Sequence, residues 1–203
     1  MSNVFFISDT HFDHERIMTL CKRPFDKVED MNDAIITNWN ERVKPGDLVY
    51  HLGDFSFGSG ERVTQLLRML NGQVHLVAGN HDHKGHRKAR GWASVEKYRT
   101  LSRGALLPVQ VVLFHWPVEI WDHRHHGSVH LFGHLHEYTV EKPTELRTNV
   151  GVDANGFAPV SIDELKVKFE GRLGCRFEDD GWQERFLTDR PGYVESRKHE
   201  NQK

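Results

Sequence analysis

Five short polar segments, each closing an apolar run of β type, constrain this chain more than any other feature: Asp9-Thr10-His11, Gly53-Asp54, Gly79-Asn80-His81-Asp82, His115 and Gly133-His134-Leu135-His136. A chain that folds around them has to bring several strand ends together. In a layered α/β domain, ligands collect at the carboxyl ends of the strands. Residues i and i+2 of an extended segment point the same way, so Asp9 with His11, and His134 with His136, are expected to act as pairs. Asp54 has two carboxylate oxygens and is a candidate bridge between two ions, while Asn80 offers a neutral amide oxygen. Carboxylate and amide oxygens mixed with imidazole nitrogens, without thiolate, suit Mn²⁺, Fe or Zn²⁺ better than Ca²⁺ or an iron–sulfur cluster. Taken singly the segments are bland: Gly-Asp is a turn, and a histidine after an apolar run is more often a satisfied boundary residue. All five in one short chain point to metal-assisted hydrolysis.

The remaining pattern supplies the frame. Val4-Phe5-Phe6-Ile7-Ser8 is a continuous apolar run, as in a strand buried on both faces. Helices are expected over 14–21, over 29–42, where Met31, Ile35, Trp39 and Val43 keep helical spacing before Pro45-Gly46, and from about Glu61 to Leu70 before Asn71-Gly72. Strands are expected over 47–52 and 74–78, giving a layered α/β rhythm. Further strands at about 109–114, 128–132 and 146–152 have little helix between them, which predicts a second sheet packed on the first. Ser161 and Glu164 form a capping-box start to one short helix. No internal repeat is evident.

With 203 residues the chain is sized for one domain, expected over 1–194. The stretch 195–203, at the end of a charged segment poor in aliphatic residues, is expected to be disordered. A net charge of −2 from 27 basic and 29 acidic residues gives no field for a long polyanion, so no stable complex with extended nucleic acid is expected. Cys21 and Cys175 form no disulfide pattern. No apolar stretch approaches a membrane span, and no signal peptide precedes the first strand, so a cytoplasmic protein is expected. Histidine is the outlier: of fifteen, several fall where apolar runs end.

In this order the segments resemble the signature of the calcineurin-like metallophosphoesterase superfamily: D-x-H, G-D, G-N-H-D/E, H and G-H-x-H. The likeness covers residues 9–136. Ser8-Asp9-Thr10-His11-Phe12-Asp13-His14, Arg23-Pro24-Phe25, Tyr50-His51-Leu52-Gly53-Asp54-Phe55 and Asn149-Val150-Gly151-Val152-Asp153 look like its small bacterial and bacteriophage branch. The resemblance implies a four-layer sandwich, two mixed sheets flanked by helices, and two divalent ions. Mn²⁺ is expected, with Fe, Zn²⁺ or Ni²⁺ as alternatives. One ion would be held by Asp9, His11, Asp54 and His136, the other by Asp54, Asn80, His115 and His134. His81 matches the family histidine that stands beside the ions and helps the leaving oxygen depart.

The expected reaction is phosphate-ester hydrolysis, in which a hydroxide shared by the ions attacks phosphorus in line. Asp82 is a candidate to orient the His81 imidazole, or a plain turn acid. The large protein phosphatases of the superfamily continue Gly-Asp with an Asp-Arg-Gly segment whose arginine grips a phosphate dianion. Here Gly53-Asp54 runs on as Phe55-Ser56-Phe57-Gly58. That departure favours a phosphodiester, or a cyclic or other small nucleotide, over a phosphoprotein. Candidate substrate contacts are His14, Arg23, and His123 and Arg124 in the run 122–126, which otherwise reads as a solvated loop. Two alternatives stand: a nuclease acting on nucleic-acid ends, and a metal-binding interaction module without catalysis. A zinc peptidase would call for a His-Glu-x-x-His helix, which the sequence lacks.

Overall fold

The computed structural model describes residues 2–138 and 145–173. The predicted tail 195–203 and the end of the predicted 1–194 domain lie outside the described residues. The architecture is α/β, two packed mixed sheets flanked by helices, as expected. In the first sheet β1 (Val4–Ile7), β2 (Leu48–His51), β3 (Gln73–Val77) and β4 (Ser94–Glu96) run parallel, with β9 (Val160–Ser161) antiparallel on the far side of β1. In the second, β5 (Arg99–Leu101) is antiparallel to β6 (Val111–Leu113), and β7 (Val129–Phe132) and β8 (Arg147–Asn149) follow in parallel.

The unbroken apolar run of β1 follows from burial on both faces. Phe5 and Ile7 point toward the helices, where Met31, Ile35 and Trp39 of α2 (Val28–Arg42) and Val63 and Leu66 of α3 (Gly60–Met69) close the core. Val4 and Phe6 face the other sheet and pack with Leu113, Val129 and Leu131. The four-residue spacing in α2 places its large side chains in one buried stripe, and the Trp39 indole N–H donates to the Asn71 carbonyl at 2.9 Å. α1 (Glu15–Leu20) begins directly after the first metal-ligand segment. Val112, His130 and Phe132 project to the opposite face of the second sheet. Trp121 lies over His130 there, at 5.4 Å between ring centres, so the stretch from His115 to Ser128, with its 3-10 turn Arg124–His126, covers that face among the described residues. No helix among the described residues is long and apolar enough to cross a membrane.

Four elements fall outside the sequence reading: β4, β5, β9 and the short α4 (Lys84–Arg87). Among the described residues β4, β5 and β9 are edge strands, each paired on one side. Ser-Val-Glu, Arg-Thr-Leu and Val-Ser therefore have no need of the apolar run by which a central strand is recognised. α5 (Ile162–Lys168) starts as its sequence predicts. The Ser161 hydroxyl accepts from Glu164 N–H at 3.2 Å, and the Glu164 carboxylate accepts from Ser161 N–H at 2.7 Å. Burial alone would raise the Glu164 carboxyl, but the Arg42 guanidinium and Ser161 hold it at about 2, so the box stays ionised at neutral pH. Ser161→Ala is expected to cost about 1 kcal/mol, read as a lower midpoint of thermal unfolding.

Candidate metal centre

The two sheets meet at the site. β1 continues past Ile7 into Ser8, which bridges in parallel to Gly151 just beyond β8. Ser8 N–H donates to Val150 O, and Val152 N–H donates to Ser8 O, each at 3.0 Å. From there the segments after β1 and β2 run side by side, with Asp9 N–H on Gly53 O and His11 N–H on Asp54 O, both at 3.0 Å. One correction to the sequence reading follows. Neither Asp9/His11 nor His134/His136 is an extended i, i+2 pair. Asp9, His11, Asp54, His134 and His136 all take left-handed backbone, with φ of 57°, 48°, 57°, 69° and 53°. For residues with a Cβ this conformation is uncommon and costs of order 1–3 kcal/mol where it is strained. These turns let His134 and His136 part to different clusters.

Ligand atoms of Asp9, His11 and His136 lie within 4.8 Å of one another, and so do those of Asp54, His115 and His134. Asp54 joins the two groups. Its Oδ2 is 3.6 Å from His11 Nε2 and 3.5 Å from His115 Nε2, while its Oδ1 is taken by the backbone N–H of His81 at 2.8 Å. A bridge from this carboxylate would thus use one oxygen, not the two that the sequence reading allowed. Around His115 Nε2 stand Asn80 Oδ1 at 3.0 Å and His134 Nδ1 at 3.2 Å. His115 Nδ1–H donates to Leu52 O at 2.7 Å, which leaves Nε2 as a lone pair facing other lone pairs.

The residues fit cation binding. Asp9 Oδ1 and His11 Nε2 are buried without a hydrogen-bond partner, an arrangement costly unless something positive completes it. Glycines let the loops close up. A Cβ at Gly79 would strike Asp54 Oδ1, and one at Gly133 would strike Ser8 Oγ and Asp9 Oδ2.

The sequence model of the calcineurin-like phosphoesterase superfamily domain matches residues 2–152. The chain belongs to that superfamily. It is 35% identical over 169 residues to the uncharacterised protein MJ1445 of Methanocaldococcus jannaschii, covering 80% of this chain and 89% of that one. It is 30% identical over 196 residues to the Gene 66 protein of Mycobacterium phage L5, covering 81% and 93%. Among solved structures, a protein of unknown function, AQ665 from Aquifex aeolicus, superposes with a TM-score of 0.66 at 26% identity, over 82% of this chain and 99% of that one.

In this member of the superfamily the electrostatics follow from burial and pairing. Burial alone would raise the Asp54 carboxyl, but the hydrogen bond and charge of His115, the His81 N–H and His11 hold it well below the usual range. Asp9 is pushed up by burial, and His11 is pushed well down by it. Burial would lower His115 and His136, yet Asp54 raises the first and Asp153 the second. Cation binding therefore competes with protons at these imidazoles.

The other predicted site residues divide. His81 reaches the centre, with Nε2 3.9 Å from Asp54 Oδ2 and a side chain 41% exposed at the mouth. His14 does too: its ring stacks on Phe57 at 3.6 Å, and Nδ1 lies 3.3 Å from His11 Nδ1. Burial and the neighbouring His81 lower its pKa to about 4, so it is a neutral contact. Asp82 does not orient His81. Its carboxylate accepts from the N–H groups of Asp54 and Gly79, each at 2.8 Å, and of Phe55 at 3.1 Å, tying two ligand loops together. Arg23 is no free cation for substrate, because it is buried against Asp153. Arg124 lies over Trp121 with Glu145 at 4.0 Å, and His123 is exposed with Asp122 at 3.8 Å.

Sequence reasoning missed three contributors. Buried His51 accepts from Gly53 N–H at 3.2 Å and lies 3.0 Å from Thr10 Oγ1, linking two ligand loops. Phe57, exposed, lines the mouth between His14 and His81. Asp153 accepts from His136 Nδ1–H at 2.9 Å. Asp153 and His51 had a sequence signal, as members of the Asn149–Asp153 and Tyr50–Phe55 segments that resemble the family branch, but no role was read for either.

Proposed function

We propose that this protein is a two-metal phosphoesterase that hydrolyses phosphodiesters, or cyclic or other small nucleotide phosphates, in preference to phosphoproteins. The observation that carries this reading is the position of Asp54 Oδ2, almost equidistant from the innermost nitrogens of two separate ligand clusters. Asp9, His11 and His136 would hold one ion, and Asn80, His115 and His134 the other, with Asp54 between. Mn²⁺ is the ion we expect in both sites. Bound there, such ions supply Lewis-acid charge at the phosphoryl oxygens and lower the pKa of water toward neutrality, providing the nucleophile.

The chain's own groups do the rest. His81, tied through its backbone N–H to Asp54 but open at its ring, donates a proton or hydrogen bond to the departing oxygen. Asp82 keeps the Asp54 and Gly79 turns in register. The preference for diesters rests on the disposition of arginines. Arg23 is committed to Asp153 and Arg62 to Asp13, each through two hydrogen bonds, so neither guanidinium is free for the second charge of a monoester dianion. Metal-stripped protein resupplied with Mn²⁺ should cleave an aryl phosphodiester with higher kcat/KM than the matched monoester. A monoester preference would remove the substrate assignment, and no hydrolysis of either despite Mn²⁺ binding would favour a binding module.

A further inference from the structure

Among the described residues, Arg23, Asp153 and His136 form a chain behind one ligand cluster, with the Arg23 and Asp153 side chains buried. Arg23 uses all five of its N–H groups. Nε donates to Asp153 Oδ1 at 2.7 Å, and Nη2 to Asp153 Oδ2 at 2.8 Å and to the Asp9 carbonyl at 2.7 Å. Nη1 reaches the Thr10 carbonyl at 3.0 Å and Met31 Sδ at 3.3 Å. Both side chains of the ion pair are shut off from water. Asp153 is presented by the 3-10 turn Val152–Ala154 just after β8, and Asn155 steadies that turn through the carbonyls of Asn149 and Gly151. The guanidinium thus spans the left-handed Asp9 turn on one sheet and the Asp153 turn at the end of the other.

At its far end Asp153 Oδ2 accepts from His136 Nδ1–H, which fixes the tautomer that leaves Nε2 as a lone-pair donor. Among the described residues the second cluster shows no such carboxylate behind its imidazoles, and His115 there is oriented by the neutral Leu52 carbonyl. We infer that Arg23 and Asp153 are positioning residues dedicated to the Asp9/His11/His136 site, and that breaking this pair weakens one ion site while sparing the other. The inference rests on the two-ion reading above.

Asp153→Asn keeps the volume but cannot accept from Arg23 and His136 at once with both terminal atoms. An amide N–H facing His136 would demand the opposite tautomer. Arg23→Lys keeps the charge and loses the planar fork. The test is Mn²⁺ titration of the metal-free full chain by calorimetry, with bound metal counted by elemental analysis and folding checked by circular dichroism. Wild type should bind two ions. Asp153→Asn and Arg23→Lys should retain one at wild-type affinity and bind the other ~10- to 100-fold more weakly, matching the pattern of His136→Ala. Adding His134→Ala to Asp153→Asn should weaken the retained ion.

Unchanged affinities at both sites in folded Asp153→Asn, or equal weakening of both, would overturn the inference. Should wild type bind a single ion, the two-ion reading falls. The clamp then stands if Asp153→Asn weakens that ion, and falls if it does not.

Discussion

Asp54→Asn is expected to abolish Mn²⁺-dependent hydrolysis, with a fall in kcat/KM of at least ~10³-fold. On the two-ion reading each ion would contribute several kcal/mol to charge stabilisation at the reacting phosphate, and about 4 kcal/mol corresponds to a thousandfold. The size of the effect follows from geometry. Asp54 Oδ1 is occupied by the His81 N–H, so the substituted amide keeps its oxygen there and turns its NH₂ to the place of Oδ2. That NH₂ would then point its hydrogens at the space between His11 and His115, 3.6 and 3.5 Å away. A donor replaces the shared acceptor of both sites, so both affinities fall together, unlike the one-sided loss expected for Asp153→Asn. Elemental analysis beside steady-state kinetics checks this. Full occupancy with intact turnover in Asp54→Asn would remove the carboxylate from its bridging role.

His81→Ala should leave both ions bound and slow turnover by ~10²- to 10⁴-fold, the range for a general acid. Its ring is the open imidazole of the cluster, and the Asp54 carboxylate to which its backbone is tied has its other contacts elsewhere. The loss should depend on the leaving group. A nitrophenolate departs without a proton, whereas an alkoxide or a ribose oxygen needs one, so an alkyl ester should suffer far more than an activated aryl ester. Equal losses on the two substrates, measured as kcat/KM, would mean that His81 positions substrate and transfers no proton in the limiting step.

Much of the frame was legible because central strands buried on both faces must be apolar throughout. The Val4–Ile7 run, the strand before His51 and the four-residue stripe of Met31, Ile35 and Trp39 each declare their environment locally. The short edge strands β4, β5 and β9 carry no such requirement, and they escaped. The site was legible to the same depth. Each ligand-bearing segment follows an apolar run, and all seven proposed ligand residues come together. The reason given by strand alternation was wrong, since Asp9, His11, His134 and His136 sit on left-handed turns in place of extended backbone. Side-chain direction at a positive φ does not follow a period of two.

The sequence by itself determined the donor chemistry: which carboxylates, imidazoles and amide were available, and that they lay where strands end. Those are properties of residue type and local order. The division of His134 and His136 between two clusters was implied by the family resemblance, but only the tertiary structure decided how the donors were held. It gave Asp82 to the backbone of its neighbours, and withdrew Arg23 from substrate into the ion pair with Asp153, 130 positions along the chain. A buried guanidinium goes to the carboxylate that satisfies it at least desolvation cost, and which carboxylate that is depends on how two sheets dock, a relation no local pattern records.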